Sequence, residues 1–158
     1  MNFEDQKLSL KYLELSENFI DLDNEVNNTV NGTIDYATLI PPFEIDLNEL
    51  TYLNLTLNKL GKFPIIKNAP KLSKLDLKKN MIKNISGISN YELPELKWVG
   101  FAENGITELP EINANSLETL ILNTNQLQYV SSTAFCGLKA IKVFIFNIVY
   151  YISLDHSS

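Results

Sequence analysis

One short phrase recurs five times along this chain and limits what the chain can fold into. Each copy reads an apolar residue, two variable residues, an apolar residue, one variable residue, another apolar residue, two variable residues and Asn. Two apolar residues around a variable one predict a short strand with two inward side chains and one outward side chain. One such strand cannot bury its apolar side alone. The sequence therefore predicts parallel strands stacked side by side into a solenoid.

Asparagine closes every copy of the phrase. Its amide both donates and accepts hydrogen bonds, so it can satisfy backbone groups that the turn leaves unpaired inside the stack. We therefore assign these residues to a structural asparagine ladder: Asn18, Asn58, Asn80, Asn104 and Asn125. The last three steps are 22 (58 to 80), 24 (80 to 104) and 21 (104 to 125) residues. Only the two shorter repeats carry an apolar-Pro pair, Phe63-Pro64 and Leu109-Pro110, so short and long repeats alternate.

The five phrases, together with the stretch Val130–Leu138, resemble the leucine-rich-repeat superfamily. The alternation of repeat lengths is similar to that of animal ectodomains such as Toll-like receptors, Slit-type guidance proteins and small matrix proteoglycans. The resemblance covers most of residues 8–152. It implies an α/β horseshoe with parallel strands on the concave face and mostly irregular or short helical convex segments. It also implies that the concave face receives a protein or glycan ligand, and it supplies no catalytic residue and no cofactor.

The stretch between the first two copies departs from the pattern. Residues 21–49 are rich in Asp, Asn and Glu and contain the turn signals Asn31-Gly32 and Pro41-Pro42. We expect an insertion there, with a degenerate repeat as the alternative. The sequence thus predicts one leucine-rich-repeat domain at 8–152, of about six repeats, followed by a polar tail at 153–158.

A sixth copy begins at Ile141, but Val149 stands in the place of its Asn. The outward positions of this copy are apolar: Val143, Ile145 and Ile148. A solenoid needs a polar outer face on its terminal repeat. We therefore expect either self-association through this C-terminal edge or a further repeat or cap beyond it. The apolar run is shorter than the roughly 20 residues that span a bilayer, so we predict no membrane span in this chain.

Charge is distributed unevenly along the chain. The net charge of −6 divides into −9 over residues 1–58, +7 over residues 59–83 and −4 over residues 84–158. The chain contains no Arg, the residue that most often reads bases and phosphates. We therefore predict no nucleic-acid partner, and we expect the basic band to favour an acidic protein surface.

Residues that could carry chemistry are few. His156 is the only His and lies in the polar tail, and Cys136 is the only Cys and fits an apolar packing position. The acids Asp21, Asp23 and Glu25 begin like a calcium loop, but Val26 occupies the position where that loop needs Gly. We therefore predict no enzyme activity, no cofactor and no metal site.

Signals for the cellular compartment conflict. The first seven residues lack the apolar core of a secretory leader, and a single Cys permits no internal disulfide. In contrast, four triplets match the N-glycosylation pattern and begin at Asn27, Asn31, Asn54 and Asn84. We expect a fragment of an extracellular or membrane-anchored ectodomain without its leader and caps, with a cytoplasmic protein as the alternative.

Binding residues are sought among the outward positions of the strands and the turns that follow them. The candidates are Tyr12, Glu14, Tyr52, Asn54, Lys74, Asp76, Lys78, Lys79, Trp98, Gly100, Thr119 and Ile121. Two Tyr and the only Trp in one outward column are typical of interface anchors, although packing between neighbouring strands also favours aromatic residues. We expect Gly100 to leave room for a partner to lie across the indole of Trp98. The predicted function is a protein-binding module of an extracellular receptor or secreted protein, with an intracellular scaffold or adaptor as the alternative.

Overall fold

The computed structural model describes residues 8–18, 29–30, 33–34, 45–64, 66, 68–89, 93–147 and 153–154. Short strands are the main secondary structure of these residues. In chain order they are β1 (Leu8–Ser9), β2 (Tyr12–Glu14), β3 (Thr29–Val30), β4 (Thr33–Ile34), β5 (Ile45–Asp46), β6 (Tyr52–Asn54), β7 (Lys74–Asp76), β8 (Trp98–Gly100), β9 (Glu108–Leu109), β10 (Thr119–Leu122), β11 (Tyr129–Val130), β12 (Val143–Phe146) and β13 (Ser153–Leu154). Two 3₁₀ helices, Leu47–Glu49 and Ser86–Ser89, are the only helices in the described part of the chain.

Six strands form one parallel sheet, which we call the main sheet, in the order β2-β6-β7-β8-β10-β12. Each strand pairs with the strand of the next repeat, and equivalent positions of the phrase are in register, as Leu53 with Leu75 and Leu75 with Val99. The predicted parallel-strand solenoid is therefore confirmed. The narrower α/β horseshoe class is not confirmed, because the described residues contain so little helix.

A second parallel sheet, β9-β11-β13, follows the turns of the later repeats. The single bridge between Lys62 and Asn84 pairs the earlier repeats in the same parallel sense. In β13, Ser153 and Leu154 pair with β11, so this sheet reaches into the stretch that the sequence analysis assigned to a polar tail. The return side of the described repeats thus combines two-residue strands and short 3₁₀ helices with irregular segments.

One apolar core lies between the two sheets. The inward residues of the main sheet and Leu109 and Val130 of the second sheet belong to a single cluster of buried side chains. Leu75 and Leu77 have no exposed surface, as their inward positions in the phrase predicted. The equivalent side chains of the two end strands, Leu13 and Phe144, are only partly buried, because each has a neighbouring repeat on one side only.

The turn after each main-sheet strand repeats the same backbone conformation. The residue before each ladder asparagine has a positive φ, from 56° to 60°: Glu17, Leu57, Lys79, Glu103 and Thr124. In the first four of these residues the N–H donates to the next repeat, as from Lys79 to the Ala102 carbonyl at 2.9 Å. The backbone hydrogen bonds between repeats thus continue past the strands and into the turns.

The ladder asparagines lie inside these turns. The Asn80 Nδ2 donates to the carbonyls of Leu55 and Leu77 at 2.9 and 3.0 Å, and its Oδ1 accepts the Leu60 N–H at 3.0 Å. The same arrangement recurs at Asn104 and Asn125, and all of the ladder except Asn18 is buried. Asn18 is exposed, and its Nδ2 donates to the Ser16 carbonyl within its own repeat at 2.9 Å.

Several sequence predictions concern residues outside the described ranges. Most of the proposed insertion is among them, although β3 and β4 form an antiparallel pair on either side of Asn31-Gly32. The same is true of the calcium-like acids, Ile148, Val149 and His156. The domain limits therefore stay predictions. No helix in the ranges given above is long and apolar enough to cross a bilayer.

Candidate binding face of the main sheet

The outward side chains of the main sheet form two rows that run across the strands. The first row reads Tyr12, Tyr52, Lys74, Trp98, Thr119 and Val143, and the second reads Glu14, Asn54, Asp76, Gly100, Ile121 and Ile145. These twelve residues, together with Lys78 and Lys79 of the following turn, are called the outward face below. It contains every binding residue that the sequence analysis proposed, and parallel pairing brings them onto one surface.

Lys74 lies between two aromatic rings of the first row. Its Nζ is 4.7 Å from the centre of the Tyr52 ring and 4.8 Å from that of the Trp98 ring. Such cation–π contacts contribute roughly 0.5–1 kcal/mol each at exposed sites, and two of them restrict the lysine rotamer. Tyr12 extends the row by an edge contact with Tyr52 at 6.5 Å between ring centres, and 71% of its surface is exposed.

The indole of Trp98 occupies the space above Gly100. A Cβ atom at Gly100 would lie 2.5 Å from the Trp98 Cη2, closer than side chains approach one another. The expectation that Gly100 leaves room for a partner across the indole is therefore wrong, because the indole itself fills that room. Glycine at this position instead lets the six-membered end of the indole approach the backbone of β8.

The polar residues of the second row support the turns that follow them. The Glu14 Oε1 accepts the Ser16 N–H at 3.1 Å, and the Asp76 Oδ1 accepts the Lys78 N–H at 3.1 Å. Asn54 accepts the Thr56 N–H in the same way and donates to the Glu14 Oε2 at 2.8 Å. Part of the hydrogen-bonding capacity of this row is thus used within the chain.

Electrostatic effects follow from these contacts. Burial alone would raise the pKa of Glu14, but the hydrogen bonds from Ser16 and Asn54 outweigh it and hold that pKa below its usual value. Burial, together with the negative charges of Asp76 and Glu14, raises the pKa of the Tyr52 hydroxyl. The carboxylates of the two neighbouring strands, β2 and β7, thus both act on the Tyr52 hydroxyl.

Two lysines of the basic band already have a carboxylate partner. The Lys78 Nζ is 3.1 Å from one Glu103 carboxylate oxygen, and the Lys79 Nζ is 3.9 Å from the other. In the described part of the chain no carboxylate pairs with Lys74. Glu103 is not among the predicted binding residues, although its place one repeat beyond Lys79 puts the two side by side.

The last two strands make the rest of the outward face apolar. Val143 and Ile145 are 42% and 45% exposed, and they lie in register with Thr119 and Ile121 of β10. From the sequence, Val143 and Ile145 are predicted to form an open edge and are not predicted to belong to the binding face. Their positions in the phrase, the same as those of Lys74 and Asp76, were the signal that could have included them.

A cavity of about 180 Å³ lies away from the outward face, lined by Ile88, Leu93, Pro94, Leu96, Asn113, Ala114, Asn115 and Ser116. Among the described residues no group of His, Cys, Asp or Glu is arranged to hold a metal ion. Comparison with protein-family models and with curated proteins finds no match to this chain.

Proposed function

We propose that this chain is a leucine-rich-repeat module that binds a protein ligand on its outward face. The observation that carries the proposal is the unbroken succession of Tyr12, Tyr52, Lys74 and Trp98 across four strands, leading into the apolar surface of β10 and β12. Large aromatic side chains on a rigid sheet suit protein interfaces, because they bury much apolar area and lose little conformational freedom. The repeated turn with its buried asparagine supports the leucine-rich-repeat assignment.

The dimensions of the face agree with an extended contact. Parallel strands lie about 4.8 Å apart, so the five intervals between the six strands span roughly 24 Å. Six positions of rigid, hydrogen-bonded backbone make up each row, and all of them except Gly100 carry a side chain. A surface of this length suits one elongated segment or one edge of a folded domain.

Two exposed tyrosines, one on each sheet, allow a direct test. A photo-cross-linking benzoylphenylalanine would replace either Tyr12 on the outward face or Tyr129, which lies in β11 of the second sheet and is 36% exposed. Each variant is irradiated in an extract of the cells that produce the protein. We expect a discrete protein adduct from position 12 alone, competed away by unmodified chain and not by a chain carrying Ile121→Lys. Adducts formed equally from both positions, or only from position 129, would contradict the proposal.

The compartment that we propose is extracellular, as part of a receptor ectodomain or a secreted protein. An intracellular scaffold is the second candidate, and Cys136 favours it, since an exposed free thiol is better suited to a reducing compartment. Asn84 separates the two. Its side chain is exposed, whereas the Asn54 amide is engaged in the main sheet. A mass decrease after glycosidase treatment, lost in Asn84→Gln, supports the extracellular protein; an unmodified Asn84 in the native protein supports the scaffold.

A further inference from the structure

Lys74 differs from Lys78 and Lys79 in being held by two aromatic rings, with no carboxylate partner among the residues that the structure describes. The two flanking rings contact its ammonium group through their faces, as described above. An aromatic face attracts a cation but accepts no strong hydrogen bond, so the three N–H donors of the ammonium group remain available to an anion. Because the rings already order the side chain, an incoming anion has little rotamer entropy to remove.

The surroundings of Lys74 select the kind of anion. Asp76 follows on the same side of β7, and Glu14 lies two strands away on the same face. These carboxylates repel a phosphate or another multiply charged group, whereas a single carboxylate can reach one ammonium group between them. A carboxylate also accepts charge-assisted hydrogen bonds from an ammonium group.

We propose that the protein ligand presents an Asp or Glu side chain to Lys74 and a large apolar side chain to the surface formed by Ile121, Val143 and Ile145. This inference rests on the proposed function and specifies its ligand. From β7 to β10 and β12 there are two and three strand intervals, or roughly 10–15 Å at about 4.8 Å each. An extended segment rises about 3.3 Å per residue, so the two anchors are about three to five residues apart when it crosses the strands.

Selection from random linear peptides with amidated C-termini tests the proposal, because the only carboxylates are then side chains. We expect the peptides enriched on the native chain to share an Asp or Glu about three to five residues from Leu, Ile, Phe or Trp. Lys74→Met keeps most of the length of the side chain and removes its charge, and it should weaken the binding of these peptides about tenfold. Lys74→Arg keeps the charge and should retain most of the affinity, and added salt should weaken binding to the native chain but not to Lys74→Met.

Further variants distinguish a failure of this inference from a failure of the proposed function. Ile121→Lys should weaken the same peptides, whereas Thr107→Lys, at an exposed position beside the second sheet, should not. Two results concern peptides that lose affinity for Ile121→Lys: they lack an acidic residue, or they bind Lys74→Met as tightly as the native chain. Either result overturns this inference and leaves the proposed function standing. Peptides indifferent to both Lys74→Met and Ile121→Lys overturn both. Unchanged unfolding midpoints of the variants show that the effects concern the surface alone.

Discussion

The indole of Trp98 covers Gly100 so closely that a single methyl group at position 100 must displace it. The atoms in the way are the far end of a side chain, so Gly100→Ala should move the ring toward solvent at little cost in stability. Because Trp98 is the only tryptophan, its fluorescence reports this movement directly. We expect a red-shifted emission maximum and a loss of less than about 1.5 kcal/mol in the free energy of unfolding.

Gly105→Ala is the matched control for this prediction. A Cβ at Gly105 would meet its nearest atom, the Lys83 Cγ, at 3.5 Å, which is an ordinary contact. Its emission spectrum should equal that of the native chain. An unshifted spectrum for Gly100→Ala would show that the indole does not lie against the sheet.

The buried asparagines should contribute to stability in a way that the first one does not. Asn80→Ala leaves the buried Leu60 N–H without its side-chain acceptor and removes one of the two amide donors from each of the Leu55 and Leu77 carbonyls. An unsatisfied buried group costs about 1–3 kcal/mol. Asn18→Ala removes an exposed side chain that donates to the Ser16 carbonyl and should cost less than about 0.5 kcal/mol. Urea unfolding of the two variants checks the difference; equal losses would contradict the proposed role of the ladder.

Thr124 is the least suitable of the residues that adopt a positive φ. Its φ is 58°, and a β-branched side chain is strained in this conformation. Asparagine tolerates it, so Thr124→Asn should stabilise the chain by about 1 kcal/mol. Thr107→Asn, at an exposed position without a positive φ, should have no such effect. Thermal melts measure both, and destabilisation by Thr124→Asn would contradict the strain argument.

Acid should weaken the first repeat through Glu14. Its folded-state pKa is lowered, so its contribution is fully present above the unfolded value near 4.3 and disappears as the pH falls through the folded pKa. Glu14→Gln should therefore reduce the loss of stability between about pH 5 and 3. The pKa of Glu118 is also lowered, through its contact with Lys142, but that pair is exposed and salt should screen it. Unfolding curves at high salt should retain the Glu14 effect alone.

Strand β12, at the edge of the main sheet, should promote self-association of the isolated chain. In the described part of the chain β12 pairs on one side only, and Val143, Ile145 and Phe146 are all more than one third exposed. Replacing Val143 and Ile145 with Lys should suppress association at micromolar concentration without unfolding the earlier repeats. Thr119→Lys adds a single Lys to the interior strand β10 and should leave association unchanged. Sedimentation of a monodisperse native monomer would contradict this prediction.

The regular parts of the fold could be predicted from the sequence, because they depend on spacing. The period of the phrase determines which residues pair across strands, so the inward column through Leu53 and Leu75 and the outward rows both follow from it. Contacts within the outward face depend instead on side-chain rotamers. Nothing in the spacing indicates that Trp98 covers Gly100 or that Lys74 lies between two rings. The sequence also does not indicate the positive φ before each ladder asparagine, since the five repeats place four different residue types at that position, none of them glycine.

The hydrogen bonds of Asn80, Asn104 and Asn125 have a consequence for cooperativity. Each amide bonds to its own repeat and to the one before it, so no repeat in this series can open without breaking polar contacts in its neighbour. In a nearest-neighbour description, this places much of the free energy in the coupling between repeats and little in each repeat by itself. Amide hydrogen exchange should then show the interior repeats opening together as one unit, with fraying confined to the two ends.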